Sequence, residues 1–166
     1  MIRIDIPATS ANLGSGFDSL GIALTMCNRV WMEEADELKI TTTDKIKVPT
    51  DETNLIYWAA RHLYQICGKT LPGLHIIQEN NIPMARGLGS SSACIVAGIL
   101  GANRMLGSPM SQSDLINLAA QIEGHPDNTS PAISGGLVAS AMEGKRVYSV
   151  SVPVSGKISF AVMIPP

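Results

Sequence analysis

Apolar and polar residues alternate at the start of the chain, where Ile2, Ile4 and Ile6 flank Arg3 and Asp5. A period of two predicts a strand, and Pro7 is expected to end it. Residues 8–19 are small, polar and glycine-bearing, and read as a loop. Leu20–Met26 and Val30–Glu34 read as two strands, and Leu38–Thr42 as another on its β-branched content. Residues 44–53, with Pro49 among polar groups, read as a turn region. The period then changes. Leu55, Trp58, Ala59, His62, Leu63 and Ile66 recur at spacings of three and four, which predicts a helix over 54–67 with that face inward and Gly68 at its C-terminal end. Leu74–Gln78 is a short strand and 80–89 a loop. Residues 92–106 carry a single charge, Arg104, so this helix is expected to be buried on most sides. Ser111 with Asp114 three positions later is a capping-box start for a helix to about Glu123. Residues 124–136 read as loop with one helical turn, and Leu137–Met142, Arg146–Val152 and Ile158–Ile164 as three strands. Helices and strands mix without a strict βαβ rhythm, so the expected class is α+β, a mixed or antiparallel sheet packed against helices.

Composition narrows the function classes. At 166 residues the chain is one domain, or one and a piece. Hydrophobic residues make up 45% and charged residues only 16%, which argues for a packed core and against disorder. The net charge is −2 and Lys and Arg do not cluster, which counts against nucleic acid and against a basic membrane-surface helix. Cys27, Cys67 and Cys94 are widely separated, so neither a disulfide framework nor a thiolate zinc site is expected. No apolar run approaches the ~20 residues of a membrane span. The first residues are too charged for a secretory leader, so a cytoplasmic protein is expected. A homodimer is compatible with the sequence, dimers being the commonest oligomers.

Three segments carry candidate chemistry. The first is Pro83-Met84-Ala85-Arg86-Gly87-Leu88-Gly89-Ser90-Ser91-Ser92-Ala93. Glycines let a backbone approach a ligand, successive N–H groups form an anion nest, and a following helix presents its positive end. Serine hydroxyls add donors to phosphate or a metal ion. No lysine follows Gly89, so this is not a Walker loop, and Ser92 replaces the third glycine of a dinucleotide fingerprint. A glycine-rich turn with serine caps accounts for it equally. The second segment is Pro7–Gly21, whose Asn12 and Asp18 together can hold a hydroxyl and an ammonium group; a polar turn with Asx hydrogen bonds is the plainer account. The third is Glu123-Gly124-His125-Pro126-Asp127-Asn128. Asp127 can orient or deprotonate a hydroxyl and Asn128 can donate to developing charge, although a capped helical turn explains the segment as well. His62 and His75 lie among apolar residues and read as structural.

Taken in order, the three segments resemble the GHMP small-molecule kinases, and those at 7–18 and 123–128 resemble the homoserine kinases within that superfamily. The resemblance runs over essentially the whole chain. It implies a ribosomal-S5-domain-2-like fold and ATP-dependent phosphorylation of the side-chain hydroxyl of L-homoserine, a step toward threonine, with Mg²⁺. It also implies that Pro83, Arg86, Gly87, Leu88, Gly89, Ser90, Ser91, Ser92 and Ala93 wrap the ATP phosphates, with Ser91 or Ser92 on the metal side. Asn54 would lie near the adenine, with Trp58 either walling that pocket or packing in the core. Asn12, Asp18, His125 and Asp127 would bind homoserine, and Asp127 and Asn128 would aim its hydroxyl. By register, Asn117 stands where homoserine kinases can carry an acidic metal ligand, with Asp114 and Glu123 the nearby carboxylates. The resemblance divides the chain into an ATP-binding domain, 1–156, and the first residues, 157–166, of a C-terminal domain that is otherwise missing. Such a domain would supply a third glycine-rich motif and arginines for the substrate carboxylate. Other acceptors, such as mevalonate or a sugar, and a non-catalytic domain on the same fold are the alternatives. Asn12 and Asp18 suit an amino-acid acceptor, and the acidic balance disfavours a nucleic-acid partner.

Overall fold

The computed structural model describes residues 1–163. The chain runs β1 (Ile2–Ala11), β2 (Leu20–Glu34), β3 (Lys39–Thr42), α1 (Leu55–Ile66), β4 (Leu74–Glu79), α2 (Ser90–Met105), α3 (Gln112–Glu123), α4 (Thr129–Ser134), β5 (Leu137–Glu143) and β6 (Arg146–Val152). The strands form one mixed sheet in the order β3-β4-β2-β5-β6, with β1 also paired to β2. Only β3 and β4 are parallel, joined through α1. The expected α+β class is what the chain adopts.

β2 organises the sheet. It pairs antiparallel with β1 along most of its length, with β4 from Arg29 to Glu34, and with β5 from Leu20 to Ile22. The two strands expected at 20–26 and 30–34 are therefore one, because β1 carries the ladder across the polar residues between them. Nor does Pro7 end β1, which continues to Ala11. β1 pairs only with β2, so a residue without an N–H is tolerated there, and the register shifts between Pro7 and Thr9. The strand expected at 158–164 is absent over 158–163, where no described strand pairs with the segment; Ile164 lies outside the described residues.

The helices cover one face of the sheet. In β4, Leu74, Ile76 and Gln78 point inward and are buried. In β1 and β2, Ile6, Val30 and Met32 do the same, while Arg3 lies over the ring of Trp31 on the other side. α2 is buried on most sides, as expected, and packs against α1, α3, α4, β1 and β2. Its contact with α1 is so close that a Cβ on Gly98 would collide with the Ile56 carbonyl oxygen and approach the Ala59 Cβ at 2.9 Å. The α1 face is rotated from expectation. Ile56, Tyr57, Ala59, Ala60, Leu63 and Tyr64 are buried, whereas Leu55, Trp58 and Ile66 are exposed. The Tyr64 hydroxyl reaches β2 and donates to Glu34, and Trp58 instead stacks on His62 at 5.4 Å between centroids. His75 faces Glu33 at 3.4 Å.

Local signals hold at the helix ends. The Asn54 Oδ1 accepts from the Ile56 N–H at 3.0 Å, a cap worth about 1 kcal/mol. After α1, Lys69 N–H donates to Tyr64 O and Gly68 N–H to Gln65 O, with Gly68 at φ 67°, the Schellman arrangement. Both halves of the Ser111–Asp114 capping box form. A small second apolar cluster, Ile116 and Ala120 against Val147, fastens α3 to β6. Among the described residues no helix is long and apolar enough to cross a membrane.

Gly98→Ala should lower unfolding stability by about 1–3 kcal/mol through overpacking, even though alanine is the better helix former. Denaturant melts of the two proteins check this; an unchanged or raised midpoint contradicts the close α1–α2 contact.

Candidate functional site

The glycine–serine loop is pinned at both stems. On the entry side the buried Asn28 Oδ1 accepts from the N–H of Asn81 at 2.7 Å and of Ile82 at 2.8 Å. On the exit side the Thr9 N–H donates to Leu88 O at 3.1 Å. Between them Pro83 is half-buried, Arg86 and Gly87 are exposed, and Ala85, Gly87 and Gly89 take positive φ. Around Gly87 the space is open: a Cβ there would meet nothing within 4 Å. Leu88 and Ala93 are buried in the core, so their side chains anchor the loop and leave any ligand contact to the backbone. α2 starts at Ser90 behind Gly89, which makes no side-chain cap. Its first N–H groups and the positive end of its dipole face the open cradle.

Ser91 is exposed, while Ser92 is buried and its hydroxyl donates to Glu123 Oε1 at 2.8 Å. A hydroxyl and a carboxylate thus meet where α2 begins and α3 ends. Asn117 is elsewhere: its Oδ1 accepts from the Val147 N–H at 2.7 Å and ties α3 to β6. Asp114 is committed to its capping box. The carboxylate beside the serine hydroxyl is Glu123, one of the two carboxylates the sequence places near Asn117.

Beside the loop lies a pocket of about 280 Å³ lined by Lys47, Val48, Pro49, Thr53, Asn54, Leu55, Gln78, Asn80, Met84, Ala85, Ser90, Ser91 and Cys94. Its outer wall is held by Asp44, whose carboxylate accepts from the N–H groups of Ile46 and Asn80, each at 2.7 Å. Asn54 is in this wall, but its amide is already used: Oδ1 caps α1 and Nδ2 donates to Pro49 O at 2.9 Å. It shapes the pocket and has little left to offer a ligand. Trp58 lies in a neighbouring depression with Leu55, Ser91, Ile95, Ile122 and Glu123, not in this pocket. Burial, and after it the charge of Glu123, pushes the Cys94 thiol up to about 11.

The second and third segments converge on the same place. The Thr9 hydroxyl donates to Asn128 Oδ1 at 2.8 Å, and a Cβ on Gly21 would collide with the Asp127 carbonyl. Thr9 and Gly21 bracket the loop 12–19, so both of its stems rest on 127–128. Asn12 and Asp18 meet within it, the Asp18 N–H donating to Asn12 Oδ1 at 2.9 Å, and both are exposed at positive φ. Asp127 is not at the surface. Its carboxylate has no exposure; Oδ1 contacts His125 Nδ1 and accepts from Asn128 Nδ2 at 3.4 Å. Asp127 Oδ2 is buried with no partner among the described residues. The outward groups are His125, with 41% of its side chain exposed, and the half-buried Asn128. Asp127, expected to orient or deprotonate a hydroxyl, is buried here, with its Oδ1 in contact with His125 and Asn128. Thr9, inside the second segment, was not singled out because nothing local distinguishes it from Ser10.

A profile of the GHMP kinases N terminal domain matches residues 54–136, half of the chain. The chain belongs to the GHMP kinases. A homoserine kinase of Clostridium botulinum (strain 657 / Type Ba4) is 44% identical over 99% of this chain and 55% of its own length. The crystal structure of homoserine kinase from Cytophaga hutchinsonii superposes with a TM-score of 0.80 at 31% identity, covering 93% of this chain and 52% of that one. The Methanococcus jannaschii mevalonate kinase shares the fold, with a TM-score of 0.68 at 15% identity over 91% of this chain and 56% of that one. This GHMP kinase chain thus spans about half the length of the curated relatives it matches.

A thiol at about 11 is almost wholly protonated at pH 8. Iodoacetamide should label Cys94 about 100-fold more slowly than an ordinary free thiol at that pH, and faster as the pH rises toward 11. Peptide mapping by mass spectrometry reads this; labelling at the free-thiol rate contradicts the burial.

Proposed function

We propose that this chain is the nucleotide-binding part of a kinase that transfers the γ-phosphoryl group of ATP to the side-chain hydroxyl of L-homoserine. The observation that carries the reading is the meeting of all three segments around Thr9, which joins an open anion cradle to a polar acceptor wall. The 44% identity to homoserine kinase across this chain supports the choice of acceptor. In this reading residues 1–156 form the ATP-binding domain and 157–166 begin the next.

The residues suit each part of the reaction. The pocket beside Asn54 is mostly apolar and fits an adenine ring. The backbone from Arg86 to Ser91 and the start of α2 receive the phosphates. Ser92 and Glu123 are hard oxygen donors already in contact, the set a magnesium ion takes. When bound, Mg²⁺ neutralises charge on the β- and γ-phosphates. Asp18 offers an exposed carboxylate to the substrate ammonium, with Asn12 closing the loop that presents it. His125 and Asn128 face the hydroxyl. The buried Asp127 carboxylate holds the Nδ1 side of His125, which turns the ring's Nε2 outward. Phosphoryl transfer goes through a loose transition state, so positioning and charge stabilisation do most of the work, and no strong base is required.

The test is ADP release from Mg-ATP with L-homoserine, using the 166-residue chain and the gene's whole reading frame in parallel, with mevalonate and galactose as control acceptors. Homoserine-dependent release is expected from the whole reading frame; release with a control acceptor instead overturns the choice of acceptor. Gly89→Ala should cut kcat/KM at least about 100-fold, since its Cβ collides with the Thr9 hydroxyl at a left-handed position. Glu123→Gln should raise the magnesium concentration for half-maximal rate about 10-fold; an unchanged requirement removes Glu123 from the metal site.

A further inference from the structure

We infer that Thr9 is a positioning residue that holds the Asn128 side-chain amide in place against the phosphate loop, an inference that rests on the kinase reading above. Thr9 is 1% exposed. It makes two bonds to two different segments. Its N–H donates to Leu88 O at 3.1 Å, and its hydroxyl donates to Asn128 Oδ1 at 2.8 Å. Gly89 is seated against both partners: a Cβ there would collide with Thr9 Oγ1 and stand 3.1 Å from Asn128 Oδ1. The cradle's last glycine, the threonine and the asparagine are therefore in direct contact, with no room for a side chain between them.

The consequence lies in which end of the amide faces where. Asn128 Oδ1 is held by Thr9, and its Nδ2 points to Asp127 Oδ1 at 3.4 Å. Turning the amide over would set its carbonyl oxygen against the buried carboxylate of Asp127, an acceptor facing an acceptor. Asp127, an acceptor only, selects the observed orientation, and the Thr9 hydroxyl, donating to Oδ1, holds the amide in it. An amide nitrogen has two hydrogens, and Asp127 takes one. The other is left to donate to oxygen on the acceptor or the transferring phosphoryl group, where charge develops. Thr9 thereby links the phosphates' position to the donor that meets them. The register shift between Pro7 and Thr9 places its hydroxyl at the junction.

The test separates positioning from folding. Thr9→Val keeps the branched shape and removes the hydroxyl; Thr9→Ser keeps the hydroxyl. In the whole reading frame, T9V should lose about 10- to 100-fold in kcat with the KM for ATP within about twofold, and T9S should recover most of the rate. In the 166-residue chain, the side-chain amide signals of Asn128 in a ¹⁵N–¹H spectrum, assigned with Asn128→Asp, should shift in T9V and return in T9S. Wild-type kcat in T9V, unmoved Asn128 signals in T9V, or T9S as impaired as T9V would each overturn the inference. Should homoserine not be the acceptor, the function reading fails by its own assay, and the amide spectrum still decides the role of Thr9.

Discussion

The helix α2 has no charge before Arg104 and is buried on most of its surface, yet its first turn carries no side-chain cap. That is the constraint from which the rest of the site follows. A buried helix cannot leave its first N–H groups dry and unpaired without cost. Here they open onto the cradle around Gly87, where water or an anion can reach them. The close contact of Gly98 with α1 and of Gly101 with Met32 holds the helix rigidly in place, so its positive end cannot drift from the loop.

A rigid helix end is useful only if the loop before it is equally fixed. Asn28 of β2 ties the entry stem and Thr9 of the neighbouring β1 the exit stem. The same two strands carry the loop 12–19 between them and rest on the segment 127–128. One pair of antiparallel strands therefore sets the relative positions of all three segments. This is why a mutation in β1, remote in sequence from the glycines, belongs to the chemistry of the site.

Asp127 shows a use for a carboxylate beside acid–base chemistry. It is buried, and its Oδ1 is taken up by His125 and Asn128, which it orients. Burying an ionisable group is tolerated when it is paired, and His125 and Asn128 supply that pairing on Oδ1. Glu123 makes the complementary point. It opens a segment that the sequence marks, but only the packing of α3 beside α2 brings it to Ser92.

Much of the molecule was legible locally. The capping box at Ser111 and Asp114, the glycine turn at Gly68 and the uncharged α2 all depend on residues a few positions apart. The three segments and the α+β class were legible for the same reason: residue types at fixed short spacings carry both. What lay beyond reach was decided by partners distant in sequence. β2 is one strand because β1 bridges its polar middle, and Pro7 stays in β1 because that strand pairs on one side only. The inward face of α1 was set by its packing against α2, since apolar residues occur on both flanks of that helix. Thr9 and Asn128 are 119 positions apart, and Ser92 and Glu123 are 31 apart. A hydrogen bond acts over about 3 Å, so such pairs leave no spacing in the chain by which to find them. The sequence by itself determined the parts and their chemistry; the tertiary structure alone decided which of them touch.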